Sequence, residues 1–120
     1  MEKLLIADDE SSIRLLVGAT LASQQYQILE ASTGTQALDI IRAEKPRMVL
    51  LDVRMPGLDG LEVCRQIKAD PDLEDISIVM LTGNGHPEQI AEGMDAGADH
   101  YLTKPFSPLQ LLQLVDNVMH

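Results

Sequence analysis

The chain has 120 residues, 19 of them acidic and 9 basic, for a formal net charge of −10. This length suits one compact domain, and a hydrophobic content of 45% excludes a disordered chain. No apolar run is long enough for a membrane span or a secretory signal, and the acidic balance disfavours nucleic acid and membrane surfaces. Because a single cysteine excludes an intrachain disulfide, we expect a cytoplasmic protein.

Five short apolar runs alternate with stretches that have helical patterning. In chain order the runs are Leu4–Ala7, Gln27–Ala31, Met48–Leu51, Ile76–Leu81 and His100–Leu102. The intervening helices are predicted at residues 11–25, 34–45, 60–69, 87–96 and 107–119. An alternation of strand and helix predicts a parallel sheet with helices on both faces.

The composition of the runs predicts the order of the strands. Leu4–Ala7, Met48–Leu51 and Ile76–Leu81 are almost wholly apolar, as strands buried on both faces must be. Gln27–Ala31 contains polar residues and His100–Leu102 is short, so both are predicted to be edges. Right-handed crossovers then give the order 2-1-3-4-5. We therefore predict an α/β, doubly wound five-stranded parallel sheet with five helices, forming one domain over residues 1–120.

Three predicted helix starts have the spacing of a capping box, in which a short polar residue precedes Glu or Gln by three positions. These pairs are Thr33 with Gln36, Asp59 with Glu62, and Ser107 with Gln110. In the last of them Pro108 occupies the first helical position, where its missing N–H costs nothing.

Polar residues directly follow four of the strands and should meet at one edge of the sheet, where ligands of such folds bind. They are Asp8, Asp9 and Glu10, then Asp52, then Thr82, then Lys104. Crowded carboxylates favour a hard divalent cation such as Mg²⁺. The Lys ammonium and the Thr hydroxyl suit phosphoryl oxygens, and the central Asp52 is the candidate nucleophile. This pattern predicts magnesium-assisted phosphorylation of Asp52.

Four stretches resemble the receiver domain of bacterial two-component response regulators. They are Ile6–Glu10, Leu51–Gly60, Leu81–Gly83 and Gly97–Phe106, in the family's order and spacing. The resemblance runs over the whole chain and implies the flavodoxin-like, CheY-like version of the predicted sheet. It also implies that Asp52 accepts its phosphoryl group from the phosphohistidine of a sensor histidine kinase or a histidine phosphotransfer protein.

The resemblance further implies a role for each site residue. Mg²⁺ would be held by Asp9, Asp52 and the backbone carbonyl of Arg54, with Asp8 reaching it through water. Thr82 and Lys104 would bind the phosphoryl oxygens.

Other positions take their expected roles from the same family. Tyr101 would be the switch aromatic that responds together with Thr82. The Lys104–Pro105 peptide bond would be cis. Arg54 and Asn84 would flank the line of water attack and so set the lifetime of the phosphorylated form. After Thr82 the family usually has Ala or another small residue, whereas this chain has Gly83 followed by Asn84 and Gly85, and the two glycines predict a freer loop.

The output surface is predicted to be the face formed by the fourth helix, fifth strand and fifth helix. The fifth helix carries a wide apolar stripe that includes Leu111 and Leu114, and neither 87–97 nor 107–120 contains Lys or Arg. An apolar surface of an output domain or separate protein is the expected partner.

Two other functions remain open at this stage. One is a Mg²⁺-dependent aspartyl-phosphate phosphatase, although Arg54 stands where its general-acid Asp would be required. The other is a pseudo-receiver that binds partners without phosphorylation. We expect self-phosphotransfer and autodephosphorylation only, and no enzyme turning over a free substrate.

Overall fold

The computed structural model describes residues 1–120 as five strands that alternate with five helices. The strands are β1 (Glu2–Ala7), β2 (Tyr26–Ala31), β3 (Met48–Asp52), β4 (Ser77–Gly83) and β5 (His100–Lys104). The helices are α1 (Ser11–Leu21), α2 (Gly34–Glu44), α3 (Gly60–Ala69), α4 (Glu88–Asp95) and α5 (Pro108–Met119). None of these helices combines the length and the apolar character that a bilayer crossing requires.

All neighbouring strands are parallel, and their order is β2-β1-β3-β4-β5, which confirms the predicted topology. Every residue of β3 is buried, whereas β2 and β5 keep exposed positions, as the predicted edges should. The strands at the core are buried on both faces because helices cover both sides of the sheet.

Alternate residues of the strands point into two separate cores. Leu5, Val49 and Ile78 belong to a cluster of 20 buried residues packed under α2 and α3. Their neighbours Leu4 and Leu50 belong to a cluster of 12 on the other face, packed under α1 and α5. This period of two fixes the register of every strand, because a slip of one residue would exchange the two cores.

Helix α1 ends four residues before its predicted end at residue 25. The Ala22 N–H donates to Ala19 O, and the Gln24 N–H donates to Leu21 O, which closes the helix with tight turns. Since β2 begins at Tyr26, the intervening residues are needed to reverse the chain direction. Apolar periodicity could not show this, because the tail of the predicted helix carried no breaking residue.

Of the three predicted capping boxes only the one at α5 is complete. The Ser107 hydroxyl accepts from the Gln110 N–H, and the Gln110 side chain accepts from the Ser107 N–H. Thr33 and Asp59 do cap α2 and α3. Their expected partners bond elsewhere, Gln36 to the Ser32 N–H and Glu62 to the Gln66 side chain. Because these two side chains bond to other groups, the reciprocal half of these two predictions is wrong.

Candidate functional site

The carboxyl ends of β1, β3 and β5 bring two carboxylates and one ammonium together. Lys104 Nζ lies 3.1 Å from Asp8 Oδ2 and 3.4 Å from Asp52 Oδ1. A third carboxylate, Glu10 Oε1, lies 3.1 Å from the same nitrogen. Lys104 therefore stands at the centre of an acidic site and neutralises part of its charge.

Asp8 is fixed by its own backbone and by the first turn of α1. Its side chain is completely buried, and one carboxylate oxygen accepts from the Glu10 N–H at 2.9 Å. Its carbonyl accepts from Arg14 Nη1 at 2.8 Å, and its N–H donates to Ala31 O. These bonds hold the Asp8 carboxylate against Lys104, while Asp9 and Glu10 remain exposed to solvent.

Asp52 is the last residue of β3, and the start of α3 packs directly against its backbone. The Gly60 N–H donates to Val53 O at 3.0 Å. A Cβ atom at position 60 would lie only 1.9 Å from Asp52 O, so no larger residue fits there. The carboxylate of Asp52 is thus held on a rigid strand end whose side chain is almost wholly buried.

Burial and charge shift the protonation of this site. Burial raises the pKa of Asp52 to about 7, the charge of Asp8 raises it too, and Lys104 opposes both. Burial also raises the pKa of Asp8, against the bonds from Glu10 and Lys104 that lower it. Burial lowers the pKa of Lys104, but the charges of Asp52 and Asp8 outweigh this effect and raise it to about 12. Lys104 is therefore a permanent cation, whereas Asp52 titrates near neutrality.

The donor set fits a magnesium ion. Carboxylate oxygens of Asp8, Asp9 and Glu10 lie within 4.8 Å of one another. Hard oxygen donors, two of them open to water, are what Mg²⁺ prefers, because it retains several waters of its own. Asp52 adjoins this cluster through Lys104, which contacts both Asp8 and Asp52.

Thr82 lies at the same edge, but its hydroxyl is already engaged. The side chain is completely buried, and its Oγ1 lies 3.1 Å from Thr103 Oγ1 on the neighbouring strand. The sequence predicted no role for Thr103, although it placed this residue at the same edge of the sheet. Its position directly before Lys104, in register with Thr82, was the available signal.

The remaining predicted residues lie around the rim. The Arg54 guanidinium is exposed and lies 3.8 Å from a carboxylate oxygen of both Asp59 and Glu92. Asn84 is exposed, and Tyr101 is 48% exposed. The Lys104–Pro105 peptide bond is cis, as the resemblance implied.

The expectation of a free loop at Gly83 needs correction. Gly83 is the last residue of β4, and its N–H donates to Gln89 Oε1 at 2.7 Å. Its carbonyl accepts from the His86 N–H. Within residues 83–85 only Gly85, with φ of +88°, adopts a positive φ that glycine readily allows. The hydrogen bond to the Gln89 side chain fixes this segment. The presence of glycines in the sequence gives no sign of that contact.

This fold and this strand-end cluster define a doubly wound α/β domain with an acidic site at the carboxyl edge of its sheet. The chain belongs to the response regulator receiver domain family, whose family model matches residues 4–116. It is therefore a receiver domain of the kind found in two-component signalling systems.

Particular relatives support this membership over nearly the whole chain. The phosphate regulon transcriptional regulatory protein PhoB of Pseudomonas aeruginosa is 40% identical over 116 residues, which cover 97% of this chain and 51% of PhoB. The response regulator MprA of Mycolicibacterium vanbaalenii is 42% identical over 110 residues, covering 92% of this chain and 47% of MprA. The chain thus spans about half the length of these curated relatives.

Solved structures agree with the same fold. The chemotaxis response regulator CheY4 of Vibrio cholerae superposes with a TM-score of 0.90 at 34% identity, covering 98% of both chains. The receiver domain of NtrX from Brucella abortus gives a TM-score of 0.88 at 30% identity, covering 97% of each.

Proposed function

We propose that residues 1–120 form one cytoplasmic receiver domain that takes a phosphoryl group from a phosphohistidine onto Asp52. The donor is a sensor histidine kinase or a histidine phosphotransfer protein. The observation that carries this proposal is the contact of Lys104 Nζ with Asp52 Oδ1 at 3.4 Å, inside a cluster of strand-end carboxylates. A nucleophile beside a fixed cation is the arrangement that phosphoryl transfer needs.

The transfer is a displacement at phosphorus. A carboxylate oxygen of Asp52 attacks, the P–N bond of the phosphohistidine breaks, and its electron pair returns to the imidazole nitrogen. Lys104 neutralises the negative charge on the phosphoryl oxygens without having to move far, since it already contacts Asp52. The Thr82 hydroxyl donates to another phosphoryl oxygen once it exchanges its contact with Thr103.

Asp9, Asp52 and the Arg54 carbonyl would hold Mg²⁺, with Asp8 reaching the ion through water. The bound ion would neutralise phosphoryl charge as a Lewis acid. The exposed carboxylate of Asp9 is the natural entry point, because it belongs to the acidic cluster and keeps contact with solvent. Autodephosphorylation by water would then return Asp52 to its resting form.

The output surface of the proposed switch is the face formed by α4, β5 and α5. Exposed apolar side chains on this face are Met94, Tyr101 and Leu109, exposed by 44%, 48% and 62% respectively. Of the two leucines named in the apolar stripe, Leu111 is completely buried and is not available to a partner, whereas Leu114 is half-buried. The apolar stripe of α5 is wide because most of its residues pack into the core. Leu109 lies at the exposed edge of this stripe.

An apolar partner surface, on an output domain or a separate protein, fits this face best. It offers apolar side chains together with acids such as Glu88 and Asp95, and no Lys or Arg occurs in 87–97 or 107–120. We propose that Thr82 and Tyr101 couple phosphorylation to it by shifting a two-state equilibrium. A direct contact of this domain with nucleic acid is disfavoured by its acidic charge.

The test is phosphorylation by acetyl phosphate with Mg²⁺. The unaltered protein should incorporate one phosphoryl group per chain, and Asp52→Asn should incorporate none, since an amide is no nucleophile. Asp39→Asn is the matched control, because Asp39 is an exposed acid on α2 remote from the strand ends. Turnover of acetyl phosphate without a labelled intermediate would indicate a phosphatase, and no reaction at all would indicate a pseudo-receiver.

A further inference from the structure

Helix α4 is tied to the end of β4 by one side chain. Gln89, in the first turn of α4, accepts the Gly83 N–H at 2.7 Å. Gly83 directly follows Thr82, the buried hydroxyl at the candidate phosphoacceptor site. Any change at this amide therefore acts on both the site and α4.

The Gly83 N–H points toward the neighbouring strand β3, which ends in Asp52, and away from β5. Backbone groups of successive strand residues face alternate neighbours. Leu81 O accepts from the Val53 N–H on the β3 side, and the Asn84 N–H donates to Lys104 O on the β5 side. Gly83, two residues after Leu81, consequently faces β3.

Strand β3 is too short to offer a backbone carbonyl to the Gly83 N–H. Its last residue, Asp52, is in register with Leu81, so Thr82 and Gly83 extend beyond it. The Gly83 N–H thus opens into the space past the end of β3, where a phosphoryl group on Asp52 would stand. The side-chain carbonyl of Gln89 accepts from this N–H instead.

A Cβ atom at position 83 would lie 3.1 Å from the His86 ring, which would have to shift slightly, and 3.4 Å from Gln89 Oε1, which is an ordinary contact distance. The hydrogen bond to Gln89 is therefore compatible with a small side chain at this position.

A second, weaker tie lies one turn further along the same face of α4. Glu92 Oε2 is 3.8 Å from Arg54 Nη2, two residues beyond Asp52. Residues three apart share a helix face, so Gln89 and Glu92 both turn toward the site. The Arg54–Glu92 pair is exposed and long, and such pairs contribute little. Gln89 is the principal tie.

We propose that Gln89 is a positioning residue that holds the Gly83 amide, and with it the start of α4, in the unphosphorylated arrangement. The phosphoryl group on Asp52 competes with the Gln89 carbonyl for this N–H. An anionic phosphoryl oxygen is the stronger acceptor, so phosphorylation releases Gln89 and frees the first turn of α4. This inference rests on the proposed function of Asp52.

The test compares Gln89→Leu with Gln113→Leu, the same substitution at an exposed position of α5. Beryllofluoride with Mg²⁺ is the phosphoryl mimic, and its affinity is the readout. Loss of one competing hydrogen bond should tighten its binding by about fivefold in Gln89→Leu and leave Gln113→Leu unchanged. A purely structural role for Gln89 would lower stability without tightening this affinity.

Unchanged or weaker binding in Gln89→Leu would overturn the inference. Absence of beryllofluoride binding by the unaltered protein would instead overturn the proposed function, and the inference with it. If Gln89→Leu does not fold, nuclear magnetic resonance of the unaltered protein decides the matter. The coupling across the hydrogen bond from the Gly83 nitrogen to the Gln89 side-chain carbonyl carbon should disappear when beryllofluoride binds, and its persistence would refute the competition.

Discussion

The site holds more negative than positive charge, contributed by Asp52, Asp8 and Lys104. Two buried carboxylates share one ammonium, and Glu10 contacts the same nitrogen from the solvent side. Burial disfavours the ionised carboxylates and raises both pKa values, the charge of Asp8 raises the pKa of Asp52 further, and the charge of Glu10 raises the pKa of Asp8. The resting site thus holds excess negative charge, which a divalent cation relieves.

This excess charge makes stability depend on pH. Because burial raises the pKa of Asp52 from 3.8 to about 7, the folded state binds this proton more tightly than the unfolded chain does. The stabilisation from this proton is complete at a pH below the pKa of Asp52 in the unfolded chain. It is lost as the pH rises through the pKa of Asp52 in the folded state. Stability in the absence of Mg²⁺ should therefore fall between about pH 4 and pH 7.

Asp52→Asn removes the charge that causes the loss of stability at rising pH. With a chelator present, the variant should be more stable than the parent by about 1–3 kcal/mol near pH 8, and the difference should narrow near pH 4. Urea unfolding at the two pH values measures it. Asp39→Asn should show no comparable pH dependence. Equal stability of Asp52→Asn and the parent at both pH values would contradict the pKa assigned to Asp52.

Arg54 should control the lifetime of the phosphorylated form. Its long side chain is held loosely between Asp59 and Glu92, so it is free to turn over a phosphoryl group on Asp52 and screen it from water. Arg54→Ala should therefore lose phosphate faster. The measurement is the decay of labelled protein after the phosphodonor is removed, with Arg65→Ala on α3 as the control. A decay rate that does not change would dismiss this role.

At the scale of elements, glycines in two helices differ in what surrounds them. A Cβ at Gly93 of α4 would lie 2.7 Å from Met80 Cγ, whereas a Cβ at Gly18 of α1 would meet nothing within 4 Å. Gly93→Ala should destabilise the fold by about 1–3 kcal/mol through overpacking. Gly18→Ala should stabilise it by about 0.5–1 kcal/mol, because alanine loses less backbone entropy. Thermal unfolding measures the stability change of each variant. Equal changes in Gly93→Ala and Gly18→Ala would contradict the close packing of α4 on β4.

The face of α4, β5 and α5 gives a prediction for Leu109. Leu109→Glu places a charge on the exposed flank of α5 and should weaken the complex with an output partner at least tenfold, by the loss of about 1.4 kcal/mol or more. Phosphorylation by acetyl phosphate should be unaffected. Leu15→Glu, which changes an even more exposed leucine on α1, is the control for added charge. Equal weakening by both variants would argue against this face.

The sequence allowed the sheet and the main site residues to be predicted for one physical reason. Strands buried on both faces are apolar throughout, so Met48–Leu51 and its neighbours identify the central strands, and the first polar residue after each one lies at the ligand-binding edge. The contacts of Gln89 and Glu92 were not predictable in this way. They depend on where α4 sits in space, and polar side chains on a helix surface carry no periodic signal.

At the scale of the whole molecule, Mg²⁺ should stabilise the fold. An ion that binds only the native state adds free energy by mass action, about 1.4 kcal/mol at a tenfold excess over its dissociation constant. For a chain of this size the midpoint of thermal unfolding should rise by roughly 5 °C. Asp9→Ala should abolish the shift and Asp39→Ala should retain it. A midpoint that does not respond to millimolar Mg²⁺ would argue against the metal site.

The most direct test of the central claim identifies the modified atom. Treatment with acetyl phosphate and Mg²⁺, then borohydride, reduces an aspartyl phosphate to homoserine, which peptide mass spectrometry locates. Homoserine should appear at position 52 alone, and only when both phosphodonor and Mg²⁺ were present. Homoserine at Asp8 or Asp9, or phosphate uptake with Asp52 intact, would contradict the account.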